Sequence, residues 1–188
     1  MASIAQHLEE KGMPKGQIKE LSMDLSPAYI AGAVEFFPGA KITFDRFHVV
    51  KLLNEAMDEV RRLEQREHGQ LKGHKYTFLR NRESLGNKQE QALAEMIELY
   101  PSLGKAYRLK VLFNDVWEMT NKEAADAFLR QWCQEVEEAK IAPLMRFCNT
   151  VRAHWSGIVH FVESRISNGV LEGINSKVQL AKRRARGF

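Results

Sequence analysis

"MDLSPAYIAGAVEFFPGAKITFDRFHVVK", residues 23–51, holds two aspartates, Asp24 and Asp45, and one histidine, His48, around two short apolar stretches. Each aspartate stands where a strand-like run stops. "QIKELSM" (17–23) reads as a short strand with Asp24 at its end, and "KITF" (41–44) alternates with period two before Asp45. Between them Ser26-Pro27 opens a helix, with Ser26 as N-cap and Pro27 in the first turn, and Pro38-Gly39 stops it. Strand, carboxylate, helix, strand, carboxylate is an α/β pattern.

From Phe47 onward the apolar period becomes 3.6 and stays there. Val49, Leu53, Ala56, Val60 and Leu63 mark one helical face, which Gly69 and Gly73 end. Residues 74–85 are basic and irregular. Asn87 with Glu90, and Thr120 with Glu123, read as capping boxes ahead of two further helices; Pro101 restarts a third between them. Residues 141–166 read as one long segment with Leu144, Phe147, Val151, Trp155, Ile158 and Val162 on a single stripe. "SNG" (167–169) interrupts it. A last helix is expected to turn Leu171, Ile174, Val178 and Ala181 inward, with Glu172, Asn175, Ser176 and Gln179 on its other face. At the other end, residues 2–12 predict a short helix ended by Gly12.

The bulk numbers exclude several classes. Apolar residues are 44% of 188, enough for a core and too many for a disordered chain. Cys133 and Cys148 have neither zinc-knuckle nor redox spacing, which fits a reducing cytoplasm. No run approaches the ~18 apolar residues of a membrane span, so a soluble protein with no membrane partner is expected. The net charge of +4 comes from 28 cations and 24 anions. Residues 177–188 hold Lys177, Lys182, Arg183, Arg184 and Arg186 and no acid; without those five the chain balances to −1. A basic patch of this kind suits a polyanion such as DNA, and equally suits a solvated helix C-terminus.

Each carboxylate has a chemical reading and a plainer one. Asp24 at a strand end is placed as a metal ligand is, or it merely starts the turn into Ser26-Pro27. Asp45 and His48, as D-x-x-H, fall about one helical turn apart and are both donors for divalent ions; they also read as a helix cap and a packed histidine. Glu172 follows a Gly-bearing break, three turns before the Lys182–Arg186 cluster, and a first-turn Glu is favoured by the helix dipole alone. No Gly-rich phosphate loop, HExxH or GxSxG occurs.

Three stretches carry a resemblance: "DLSPAYIAGAVEFFPGAKITFDRFHVVKLLNEAMDEVRR", "LKVLFNDVW" and "NGVLEGINSKVQLAKRRARGF". Together they resemble bacterial insertion-sequence transposases of the DDE class, ISL-three group, over about residues 17–188. The resemblance implies an RNase-H-like catalytic domain in which two aspartates and a glutamate bind two divalent ions, Mg2+ or Mn2+, for DNA strand cleavage and transfer. Asp24 then corresponds to the second aspartate and Glu172, in "LEGIN", to the glutamate. Asp45, His48 and Asn175 would support the site, and Lys177, Lys182, Arg183, Arg184 and Arg186 would hold DNA.

The expected fold is mainly α. It comprises a partial RNase-H-like α/β core with two short strands (1–48), a large all-helical insertion (49–166) and a returning catalytic-core helix with the basic patch (167–188). The family's first aspartate and its strands have no counterpart upstream of Asp24, and the family pattern continues past Phe188. The expectation is therefore a fragment, truncated at both ends and inactive alone. The competing expectation is a non-enzymatic helical module that binds DNA or self-associates through open strand edges.

Overall fold

The computed structural model describes residues 1–167, 169 and 177–183. The chain is mainly helical, with one two-stranded parallel sheet. After helix α1 (Ala2–Glu10) comes strand β1 (Glu20–Met23), helix α2 (Pro27–Phe36) and strand β2 (Lys41–Phe44). The strands pair in register from Glu20 opposite Lys41 to Met23 opposite Phe44. Parallel pairing requires a crossover, and α2 is that crossover. The β1 run is shorter than expected, because Lys15–Gln17 closes a 3-10 turn and leaves only Glu20 onward extended.

Helix α3 (Arg46–Glu67) follows β2 directly. It buries Val49, Leu53, Ala56, Met57 and Val60 as its periodicity requires, but Leu63 is exposed. Arg61 takes the inward position at that end. Its guanidinium meets Asp58 at 2.8 Å and also donates to Gln65. A buried arginine so engaged substitutes for an aliphatic contact. Helix α4 (Lys75–Leu79) lies in the basic irregular stretch. It is fastened by Lys110, whose ammonium donates to the carbonyls of Phe78 and Leu79 at 2.8 Å and of Arg80 at 3.3 Å. Lys110 is buried, and burial pulls its pKa down to about 8.

Helices α5 (Asn87–Leu99), α6 (Pro101–Phe113), α7 (Lys122–Ala139), α8 (Ala142–Ala153) and α9 (Trp155–Ser164) follow, with 3-10 turns at Gly69–Leu71, Arg82–Ser84 and Asn114–Glu118 and a helical stretch over 177–183. Both expected N-caps shift by one residue, from Asn87 to Gly86 and from Thr120 to Asn121. The N-cap of α5 is Gly86, whose N–H donates to Gln89 Oε1 at 3.4 Å; that of α7 is Asn121, whose Oδ1 accepts from Ala124 N at 2.7 Å. Asparagine outranks threonine as a cap, so Asn121 displaces Thr120. The expected single segment over 141–166 is two helices broken at His154. The break lets α8 pack on α3 and α7 while α9 turns to cover β2.

That turn depends on Gly157. A Cβ there would stand 2.5 Å from Phe44 Cδ2 and 3.1 Å from the Ile42 carbonyl. The contact is sealed by Thr43 Oγ1 and Ser164 Oγ at 2.8 Å, and by buried His160 between Glu20 (3.6 Å) and Glu163 (3.1 Å). Gly157→Ala would gain up to about 1 kcal/mol of helix propensity but overpack β2 by about 1–3 kcal/mol. A net destabilisation is expected in urea unfolding; an unchanged or raised midpoint would mean that α9 can lift off the sheet freely.

The core is aromatic where α6, α7 and α8 meet. Phe113 lies edge-to-face with Trp132 (4.8 Å), Phe147 (5.1 Å) and Trp117 (6.0 Å). The cysteines are buried thiols without a disulfide. The 177–183 stretch is exposed throughout, including Val178 and Ala181, so that part of the expected inward stripe does not reach the core. Leu171 and Ile174 lie outside the described residues.

Candidate active site at the strand ends

In-register parallel strands end side by side. One residue beyond the Met23–Phe44 pair stand Asp24 and Asp45, and the Asp45 N–H continues the ladder by donating to the Met23 carbonyl at 2.9 Å. Both aspartates therefore emerge at the carboxyl edge of the sheet, the edge where open α/β sheets bind ligands. The two carboxylates are held differently. Asp24 is half-buried, and its Oδ1 accepts from Ser26 N at 2.9 Å. That bond shapes the turn into α2, whose N-cap Ser26 makes no side-chain cap bond of its own.

Asp45 is buried and caps α3, its Oδ1 accepting from Phe47 N at 2.7 Å. His48 follows on the same side, its Nδ1 3.9 Å from Asp45 Oδ1. The D-x-x-H spacing thus brings the two side chains together, as one helical turn should. The cap and turn readings of both aspartates are correct as local structure, and neither prevents a second role.

A cavity of about 330 Å3 opens beside Asp45, lined also by Arg46, Phe47, Asn81 and Asn114. Ser167 and Gly169 form part of its wall. The chain therefore comes back to the strand ends 122 positions after Asp45, just before the stretch that holds Glu172. Glu172, Asn175, Arg184 and Arg186 lie outside the described residues. Lys177, Lys182 and Arg183 are exposed on the 177–183 helix. Among the described residues no three His, Cys, Asp or Glu side chains come close enough to hold a metal ion. Asp24, Asp45 and His48 alone are not such a group.

Asn81 and Asn114 had no sequence signal. Asn81 lies in the irregular basic stretch, and Asn114 ends α6 with its Nδ2 donating to the Lys110 carbonyl at 3.0 Å. Only the packing of α4 and α6 against α3 brings them to Asp45.

Two strand-end carboxylates thus share the carboxyl edge of a parallel pair, and the chain returns beside one of them. Residues 2–188 match the model of the transposase family of the DDE class, ISL3 group. The chain belongs to that family. It is 28% identical over 180 residues to the transposase for insertion sequence element IS1001 of Bordetella parapertussis, covering 92% of this chain and 44% of that protein. It is 29% identical over 118 residues to the transposase for IS1557 of Mycobacterium tuberculosis, covering 63% of this chain and 26% of that protein. The chain thus spans less than half the length of these relatives. No solved structure matches it.

Proposed function

We propose that this chain carries part of the catalytic centre of a transposase that cleaves and transfers DNA strands to move an insertion sequence. The observation that carries the reading is the juxtaposition of Asp24 and Asp45 at the carboxyl ends of two parallel strands, with Ser167 and Gly169 returning beside Asp45. On this reading 1–48 is a partial RNase-H-like core, 49–166 an insertion whose last helix, α9, already lies on the sheet, and 167–188 the returning element. No helix of the described residues is long and apolar enough to cross a membrane. We place the protein in the bacterial cytoplasm, on DNA.

Asp24 and Glu172 are the residues we assign to Mg2+ or Mn2+. Half-buried Asp24 presents hard oxygen donors at the edge of the sheet, which suits such an ion. Asp45, nearly enclosed and committed to the Phe47 N–H, suits a supporting role: it holds the first turn of α3 and faces His48. When bound, the ions would supply charge stabilisation at a scissile phosphate. The cations of the C-terminal patch would grip the DNA backbone.

The reading is tested by asking whether the gene's full-length product mobilises a marked insertion sequence, and whether Glu172→Gln stops it. Mobilisation at background level by the unaltered protein would reject the function. The patch makes a separate prediction. Replacing Lys182, Arg183, Arg184 and Arg186 together by Gln should reduce the salt slope of DNA binding by about 0.9 per lost phosphate contact, or roughly 3–4 in all. An unchanged affinity and slope would make the patch a solvated helix end.

A further inference from the structure

We propose that the cavity beside Asp45 receives a single nucleobase turned out of the DNA duplex, stacked on the ring of Phe47. This rests on the transposase reading above.

Phe47 is the anomaly that points there. It stands in the first turn of α3 and is 62% exposed, although a phenyl ring gains from burial. Its position is not loose. Its N–H is held by Asp45 Oδ1 at 2.7 Å, and His48 braces the ring edge-to-face at 5.5 Å. A solvent-facing aromatic whose backbone is fixed by a helix cap is what base stacking requires, and stacking tolerates any base because every base has a π-face.

The rest of the wall has the matching chemistry. Val50 extends the apolar side, while Asn81 and Asn114 bring two carboxamides. Such groups pair a donor with an acceptor, as base edges do. Asn81 is available for this, since it caps the 82–84 turn without a side-chain bond. Charge selects against other occupants. Arg46 is paired with Glu118 at 3.0 Å, and Asp45 adds a further carboxylate. A free phosphate or a second anion is therefore disfavoured at the floor, whereas a neutral planar ring is not. Size selects too: about 330 Å3 lies at the low end for ligand pockets and admits one nucleotide, not a duplex. A base seated there would fix the register of its strand against the strand-end aspartates.

The test uses this chain and two DNA duplexes carrying 2-aminopurine, one with the analogue paired and one with it as a single-nucleotide bulge. Anisotropy should show the bulged duplex bound roughly tenfold tighter, the scale of one stacked base, and 2-aminopurine emission should be quenched in that complex. Phe47→Ala should abolish both the preference and the quenching, leaving the affinity and salt slope for the paired duplex unchanged. Phe47→Trp should keep both. Equal affinity for the two duplexes, or a preference that survives Phe47→Ala, overturns the inference while leaving the transposase reading intact. Failure of the unaltered chain to bind either duplex also overturns the inference, whereas the transposase reading is decided by the mobilisation assay. A shift in sedimentation of the DNA-free chain on Phe47→Ala would assign the ring to a contact with a second copy instead, and would also overturn it.

Discussion

Asp24→Asn is expected to abolish mobilisation of a marked insertion sequence by the gene's full-length product, by about 1,000-fold or more, while the protein folds as before. The magnitude follows from the several kcal/mol of charge stabilisation that a correctly held ion supplies, at about 1.4 kcal/mol per tenfold. The preserved fold follows from local geometry. Asp24 Oδ1 accepts from Ser26 N at 2.9 Å, and the carbonyl oxygen of Asn can accept the same bond. Only the negative charge is removed. The substitution therefore separates the two readings of this residue, since a mere turn former would tolerate it in both assays. Asp45→Asn likewise keeps its acceptor for Phe47 N, and its expected loss is smaller, about 10–100-fold, as for groups that orient rather than hold an ion. Mobilisation frequencies measured beside thermal melting curves decide the matter. Unaltered mobilisation by Asp24→Asn would leave the residue as a turn former.

Trp132→Ala is expected to cost about 3–5 kcal/mol of stability, a large share of the roughly 5–15 kcal/mol that holds a typical domain together. Trp132 is fully buried on α7 between Phe113 (4.8 Å) and Phe147 (5.8 Å), so its removal opens a void where three helices meet. The indole Nε1 also donates to the Leu109 carbonyl of α6 at 2.9 Å. At about 2–4 °C per kcal/mol for a chain of this size, the melting temperature should fall by roughly 10 °C or more. Trp132→Phe keeps the aromatic packing and loses only the hydrogen bond and some volume, and should fall in between. A fall of less than about 3 °C for Trp132→Ala would show that the α6–α7–α8 junction is not the centre of the core.

These two residues were unequally legible. Ala125, Phe128, Leu129, Trp132 and Val136 repeat at helical spacing, and the burial of Trp132 follows from that. Asp24 was visible as a strand-end carboxylate, yet nothing local separated ligand from turn former, because the hydrogen bond to Ser26 is compatible with both. The break at His154 was hidden for a related reason. Leu144, Phe147 and Val151 on one side, and Ile158 and Val162 on the other, all fall inward, so periodicity alone reads one helix. What bends the chain is the destination of each half, α3 and α7 for α8, β2 for α9, and that is a contact between distant elements. Leu63 is exposed for a like reason, since the Arg61 network that supplants it involves the Leu71 carbonyl beyond the helix end.

By itself the sequence determined most of the helices and their approximate limits, the break at His154 excepted, together with the two strands and the aspartate at the end of each. Those features depend on caps, turns and apolar periods that act within about four residues, so they are written locally. It also determined the family, because the stretches around Asp24, Asp45 and Glu172 are specific. Only the tertiary structure decided that the strands run parallel in register, and so set Asp24 and Asp45 at one edge. It alone brought Asn81, Asn114, Ser167 and Gly169 to the cavity beside Phe47. Those meetings depend on how α4, α6 and α9 dock against α3 and β2. Docking is governed by side-chain fit across gaps of thirty to more than a hundred positions, with Gly157 against Phe44 and Lys110 under α4 as the points that fix it.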